Sequence, residues 1–523
     1  MQESRSSIPG ELAALLPRVR ELRAGVVSDG EALFAKLEPS IARDDFRSGC
    51  RNLANYLAFR QRDLRPLQGE LVRWGLSSLG RCESRVLPTL DALLQSVGLL
   101  CGVDPSELPG YPTAEQVYGG ASRIEQQATR LFGAPRGERT ARIMVTLPSE
   151  AAEDPQLIED LLRGGVECLR INCAHDDPAH WAEMLSLKRR AELNLGLAEP
   201  VRVLMDLAGP KVRTVRRDRD AERRLRVGDE LFLVHAEDVE TLTGKRKRLE
   251  KATRKLNWVG CTLAEPLARL KLGDAVHIDD GKIATRVSAL RGPGAVLTIE
   301  RCANKGVKLR SDKGVNFPDT DFDVPSLTDK DREDLEFVAV NADLIGYSFV
   351  QSASDVSLLF AELEKVLPAS RPAPGLVLKI ETRAAVENLP ELLVQAAGRL
   401  PTAVMIARGD LAIALGFARN AEMQEELLWL CESANLPVIW ATQVLESLSK
   451  EGLPTRAEVT DAAMSGRAEC VMLNKGRHVV ETVRFLSTVL GRMREHQYKK
   501  APQLRRLKSW NHLLADGGPE VDC

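Results

Sequence analysis

The chain has 523 residues, 44% of them hydrophobic and 28% charged, with 72 basic side chains against 74 acidic ones. That length supplies a large core and roughly two to four domains, and the near-neutral balance argues against a dedicated nucleic-acid binder. No apolar stretch reaches the roughly 18 residues of a membrane helix, the N-terminus lacks the charged-then-apolar layout of a signal peptide, and the ten cysteines are scattered without CxxC spacing, so a cytoplasmic protein with reduced, packing cysteines and no structural zinc is expected.

Residues 1–135 read as a helical N-terminal domain, with apolar positions at helical spacing in 11–23, 31–37, 45–61, 64–74 and 87–100. A Gly- and Pro-containing stretch, 102–120, separates these from a last helix at 122–132. The apolar faces are expected to cover each other, the rest of the chain or a second subunit, so homo-oligomerisation stays open. No catalytic constellation lies in this region.

From residue 140 the pattern changes to short β-branched runs alternating with amphipathic stretches. Runs at 142–147, 166–171, 201–207, 343–348, 376–380, 402–407, 437–441 and 469–473 read as strands, and 155–163, 177–195, 329–341, 354–367, 421–434 and 479–494 as helices. Eight strands alternating with helices predict an α/β fold, a (β/α)8 TIM barrel, over 136–213 and 307–495. About 130 residues separate the third and fourth strands, far more than a helical crossover needs. The expectation is an inserted β-rich domain at 214–306, with strands at 230–234, 275–278, 282–287 and 295–299 and turns at Asp280-Gly281 and Gly292-Pro293-Gly294. Residues 496–523 are read as a C-terminal tail whose Lys499-Lys500 and Arg505-Arg506 are merely solvated charge, and Trp429 and Trp440 as core or interface residues. The basic runs 213–224 and 245–255 lack interleaved aromatics and read as solvated faces.

A barrel concentrates chemistry at the carboxyl ends of its strands. Those ends carry Arg170-Ile171-Asn172 with His175 beyond, Asp206 to Thr214, Ser348-Phe349, Lys379-Ile380-Glu381, Arg408-Gly409-Asp410 and Ala441-Thr442-Gln443. Residues two apart on a strand share a face, so Lys379 is expected beside Glu381 and Arg408 beside Asp410. Two carboxylates from neighbouring strand ends suit a hard divalent ion, which takes oxygen ligands at about 2.1 Å and leaves room for phosphate. An isolated Lys-x-Glu would read as a structural ion pair, and Arg408 serves equally well as a support for a carbonyl. The concentration of partners points instead to magnesium-assisted phosphoryl transfer.

This ordered set resembles the pyruvate kinase family from residue 140 to about 495. The resemblance rests on Leu169-Arg170-Ile171-Asn172, Asp206 to Thr214, Asp279-Asp280-Gly281, Lys313-Gly314-Val315-Asn316, Lys379-Ile380-Glu381, Ala407 to Leu411, Ala441 to Ser447 and Pro454 to Glu458. It implies transfer of the phosphoryl group of phosphoenolpyruvate to ADP, giving pyruvate and ATP in glycolysis, with the inserted domain as a lid. By the same resemblance Glu381 and Asp410 bind Mg2+, or Mn2+, and Lys379 offsets charge on the phosphoryl group. Arg170 and Arg213 hold phosphates, and Gly409, Asp410 and Thr442 seat the substrate carboxylate. Thr442 also faces the enolate carbon, Asn172 and His175 line the nucleotide side, and Lys313 reaches the nucleotide when the lid closes.

Departures from the family pattern sharpen these expectations. Ala174 and Lys211 stand where many members carry a serine and a glutamate around a monovalent cation, so the Lys211 ammonium is expected in that site beside Asn172 and Asp206, and potassium is expected not to be required. Leu207 also resembles the potassium-independent branch. Thr146-Leu147-Pro148-Ser149 lacks the usual glycine, Asp312 replaces a hinge lysine, and Leu473-Asn474-Lys475-Gly476-Arg477 replaces a Ser-Gly-Glu-Thr loop. The chain ends soon after the barrel, so the family's C-terminal domain and its sugar-phosphate activation are not expected. Two other readings stay open: a different magnesium enzyme handling an enolate on a barrel, and a non-catalytic phosphoenolpyruvate-binding regulator.

Overall fold

Short strands rich in Val, Ile and Met, several of them followed by an Asp-, Ser- or Thr-capped helix, set the architecture. The computed structural model describes residues 10–215, 224–239, 256–320 and 324–503. The basic run 245–255, most of 213–224, and Arg505-Arg506 lie outside the described residues.

β1 (Arg142–Thr146), β2 (Cys168–Asn172) and β3 (Arg202–Asp206) are parallel neighbours. The inserted unit follows, with β4 (Thr214–Val215), β5 (Glu230–His235), β6 (Asn257–Cys261), β7 (Ala275–Ile278), β8 (Ile283–Arg291), β9 (Gly294–Arg301) and β10 (Val315–Asn316). The chain then returns through β11 (Leu344–Tyr347), β12 (Gly375–Ile380), β13 (Thr402–Ala407), β14 (Val438–Ala441) and β15 (Cys470–Leu473). A barrel closes in the order β1-β15-β14-β13-β12-β11-β3-β2, all parallel. The intervening helices start where the sequence supplies caps. The Asp154 carboxylate accepts from Gln156 N and Leu157 N with Pro155 at the first helical position, Asp177 does the same for Ala179 N and His180 N, and Thr328 with Asp331 forms a capping box.

Alternation along each strand divides the core. Leu169, Ile171, Val203, Met205, Leu376, Leu378, Val404 and Ile406 face the helices. Met144, Cys168, Leu204, Leu344, Val377, Ala403, Met405 and Ile439 fill the barrel interior. The sheet of the inserted unit, ordered β10-β7-β8-β9-β5-β6-β4, carries its own core of Leu231, Leu233, Val276, Ile278, Ile283, Val287 and Leu297. Strands β4, β6 and β10 were not anticipated: two have two residues each, and β6 contains Gly260, whose missing Cβ lets Val215 O approach to where a Cβ would lie 3.0 Å away.

The N-terminal helices are α1 (Gly10–Leu37), α2 (Asp44–Arg60), α3 (Arg65–Arg73), α4 (Val86–Leu100) and α5 (Ala114–Phe132). They cover each other and the barrel's outer helices. The two helices expected at 11–23 and 31–37 are one, because Val26 and Gly30 are buried against α2 and tertiary packing overrides the weak propensity of the stretch between them. α5 begins earlier than expected, at a Thr113–Gln116 capping box, and stoppers the barrel floor: Ala128, Leu131 and Phe132 join the interior cluster. Fully buried Arg142 ties the plug to β1 through Glu125, with Nη1 donating at 3.0 Å.

The tail reading of Lys499-Lys500 is corrected. Gln497–Tyr498 and Ala501–Pro502 pair as a hairpin, Lys499 forms an ion pair with Glu469, and Lys500 one with Glu83. Charge that looked solvated in sequence is neutralised by carboxylates brought from the barrel and from the bundle. Trp440 is in the core and Trp429 lies where the bundle meets the barrel. The cysteines among the described residues are free, and no described helix is long and apolar enough to cross a membrane.

Candidate active site

The same alternation that fills the barrel builds its mouth. One pleat above Met144, Cys168, Leu204 and Val377 stand Thr146, Arg170, Asp206 and Lys379, and two pleats above Leu344 stands Ser348. Strand geometry thus converges five polar side chains on one axis, above apolar layers that keep water out from below.

Asp206 Oδ2 accepts from Arg170 Nε at 2.9 Å and lies 3.2 Å from Lys379 Nζ. Arg170 Nη1 donates to Thr146 Oγ1 at 3.0 Å. Lys379 Nζ donates to Ser348 Oγ at 2.6 Å and lies 3.3 Å from Glu381 Oε1, and the Ser348 hydroxyl donates onward to Leu207 O at 2.6 Å. Glu381 Oε2 accepts from Phe349 N at 2.8 Å. With Asp206, Glu381 and Lys379 only 1%, 5% and 8% exposed, solvent screens these charges little. Burial opposes ionisation of Asp206, yet Lys379 and Arg170 outweigh it and hold the carboxyl below its usual range. Burial likewise penalises the Lys379 ammonium, but Asp206 and Glu381 keep it charged, above the usual lysine value. Glu381 is raised, first by burial and further by the nearby charge of Asp410, with Lys379 opposing.

Asp410 reaches this mouth by a route the strand pattern did not foresee. β13 ends at Ala407, and Arg408–Leu415 is a helix, so Arg408 and Asp410 do not share a strand face. Arg408 turns away, stacks 4.6 Å from the Trp440 ring, pairs with Asp461, and donates to Ala441 O at 2.9 Å and Thr442 O at 2.6 Å. It supports the loop after β14, where Thr442, Gln443 and Leu445 hold φ of +65°, +58° and +49°. That loop presents Thr442 Oγ1 as acceptor to Gly409 N at 2.8 Å. Asp410 instead accepts from Lys211 Nζ at 3.0 and 2.9 Å and from Asn316 Nδ2 at 3.3 Å. Burial works against the Asp410 charge, but Lys211 prevails and lowers it.

The expected grouping of Lys211 with Asn172 and Asp206 is corrected accordingly. Asp206 is spent on Arg170 and Lys379, Asn172 Oδ1 accepts from Ala174 N at 3.1 Å, and the Lys211 ammonium is drawn to Asp410. Its side chain passes over Gly314, where an added Cβ would stand 3.0 Å from Lys211 Cε.

Glu381 and Asp410 suit a hard dication: Glu381 is buried, Asp410 is nearly so, and the charge of Asp410 raises the pKa of Glu381, a repulsion that a dication relieves. Among the described residues there is no cluster of three or more His, Cys, Asp or Glu that could hold a metal ion. Beside the cluster a cavity of 230 Å³ is lined by Thr146, Arg170, Asn172, His175 and Lys475. Burial lowers the His175 pKa, with Lys475 and Arg213 adding to it. A second cavity, of 470 Å³, runs from Glu381 and Lys211 to Phe317 and Asn316 of the inserted unit. Arg213 and Lys313 stand at the base of that unit, paired with Asp312 at 3.1 Å and Asp279 at 3.7 Å, apart from the Lys379 cluster. Thr146, Ser348 and Asn316 carried no assigned role in the sequence reading, although inward parity pointed to the first two.

The family model for the pyruvate kinase barrel domain matches residues 138–483. Pyruvate kinases of Hypocrea jecorina, Agrobacterium vitis and Agaricus bisporus are 29%, 32% and 32% identical to the chain over 71%, 69% and 63% of its length. The matched regions span 66%, 71% and 59% of those relatives' own lengths. With the closed barrel, the sheet inserted after its third strand and the ordered mouth residues, these matches show that the chain belongs to the pyruvate kinase family.

Proposed function

We propose that the chain transfers the phosphoryl group of phosphoenolpyruvate to ADP, giving pyruvate and ATP, as a cytoplasmic step of glycolysis. The observation that carries this reading is the buried Lys379 ammonium, 3.2 Å from Asp206 and 3.3 Å from Glu381 at the barrel mouth. Glu381 and Asp410 would hold Mg2+ or Mn2+, which when bound supplies positive charge to the carboxylate and phosphate oxygens of the substrate. Asp410 becomes available when Lys211 swings from it, and the place where many relatives hold a monovalent cation lacks a side-chain ligand. Ala174 offers no hydroxyl to such a cation, so turnover proceeds without added potassium.

The chemistry breaks the bond between phosphorus and the enol oxygen and forms one to a terminal oxygen of ADP. Lys379, fixed by Asp206, Glu381 and Ser348, offsets charge on the phosphoryl oxygens during transfer without reorganising. Arg170 holds phosphate, and Asn172 and His175 line the nucleotide cavity. Closure of the inserted unit brings Arg213 and Lys313 over the phosphates and expels water. Gly409, Asp410 and Thr442 seat the substrate carboxylate. The Thr442 hydroxyl accepts from Gly409 N, so its own proton is free to orient the water that protonates the enolate carbon.

The test is steady-state pyruvate formation by wild type and Lys379→Met. Loss of about 3 kcal/mol of transition-state stabilisation lowers the rate at least about a hundredfold. Equal rates refute the role of Lys379, and a steep potassium requirement refutes the monovalent-cation reading.

A further inference from the structure

Where the helical bundle meets the barrel lies a cavity of 520 Å³ that the proposed reaction does not use. Its wall comes from four separate parts of the chain: the end of α2 through the start of α3, the stretch from Leu79 to Glu83 before α4, Trp429 of the barrel helix Phe417–Ser433, and Lys500 of the C-terminal hairpin. Four cations line it, Arg60, Arg62, Arg65 and Lys500, against the carboxylates of Asp63 and Glu83.

The state of each cation decides what the cavity accepts. Arg60 is held without a carboxylate: its guanidinium stands 4.9 Å from the Trp429 ring centroid and 5.6 Å from that of Tyr56, and donates to the Tyr56 hydroxyl at 2.7 Å. Among the described residues Arg60 makes no ion pair, so its charge is oriented by two aromatic rings but not neutralised. Lys500 stands 4.8 Å from the same Trp429 ring while paired with buried Glu83, which keeps it in place. Arg65 pairs only with Asp63, and with side chains 85% and 56% exposed that pair opens at little cost. Arg62 is tethered to Asp29 at 2.6 Å. Arg60, fixed in direction and unpaired, offers a planar fork to the oxygens of a phosphate group, and Arg65 from the same short segment joins it when its exposed pair with Asp63 opens.

We propose that this cavity binds a small phosphate-bearing anion, which clamps the C-terminal hairpin and the barrel helix at Trp429 onto the bundle. The site stands apart from the barrel mouth and does not depend on the reaction assigned there. Its ligand is anchored by Arg60 and Arg65, with Lys500 closing the far wall.

The test uses the full chain and inorganic pyrophosphate at constant ionic strength, read by hydrogen exchange and by calorimetric titration. Saturable binding with slowed amide exchange at residues 59–68 and 497–502 is expected, together with at least tenfold weaker affinity in Arg60→Gln/Arg65→Gln. Arg65→Gln alone, too exposed to threaten folding, is expected to weaken binding about threefold. Protection confined to the barrel mouth overturns the proposal, as does unchanged affinity in the double variant or in Arg65→Gln.

Discussion

Gly346 lies within β11, between strands that carry the mouth, and leaves the space that Asp206 occupies. A Cβ there would stand 2.3 Å from Asp206 Oδ1, 3.0 Å from Cγ and 3.1 Å from Cα. Favourable contact begins near 3.5 Å, so the carboxylate of Gly346→Ala must retreat by about 1 Å. Asp206 is 1% exposed and already bound to Arg170 and Lys379, so the retreat lengthens both contacts. Overpacking alone costs about 1–3 kcal/mol, and a buried charge left unpaired about 3–5 kcal/mol. The expected loss is about 2–4 kcal/mol, measured as a lower urea midpoint with an unchanged slope, accompanied by reduced pyruvate formation because Lys379 loses its anchor. The control is Gly69→Ala in α3, where nothing lies within 4 Å of the added Cβ and helix propensity favours alanine by about 0.5–1 kcal/mol. A Gly346→Ala chain as stable as wild type would refute the steric reasoning.

Lys211→Met removes the ammonium that competes for Asp410, and Mn2+ titration is expected to show about tenfold tighter binding; weaker binding would mean that Lys211 supports the metal instead. Arg408→Lys keeps the charge but loses the fork that engages Asp461 and the carbonyls of Ala441 and Thr442 together, so the strained loop relaxes. Pyruvate formation is expected to fall about ten- to a hundredfold at unchanged Mn2+ affinity, and an unaltered rate contradicts the positioning role. Burial pushes Glu432 up to about 7, with Lys499 opposing. A carboxyl raised in the folded state stabilises most below its unfolded pKa and loses that contribution as pH rises through the folded one, a swing of about 3 kcal/mol between pH 4 and 8. The melting temperature of Glu432→Gln relative to wild type therefore rises from pH 5 to pH 8, and a flat difference counts against the shift.

The pairing of Lys379 with Glu381 was legible because both lie at the end of β12, where the two-residue period leaves one arrangement. The inward direction of Arg170 and Asp206 follows from the same rule. Asp410 obeys no such rule, since a helix begins at Arg408 and the direction of its carboxylate depends on where β13 stops. Lys211 was placed by analogy with an ion it was expected to replace, whereas a long, flexible ammonium goes to the least compensated carboxylate within reach. That carboxylate is Asp410, because Asp206 already pairs with both Arg170 and Lys379.

Local pattern alone determined the eight barrel strands and six of the helices around them, since hydrophobic period acts over a few residues. Only the tertiary structure decided what each face meets: α5 as the barrel's stopper, Lys499 and Lys500 paired with Glu469 and Glu83, and four cations gathered around one cavity. The reason is range. A period reports which side of an element avoids water, but the charge or surface that completes it arrives from hundreds of residues away and is chosen by shape and electrostatics in three dimensions.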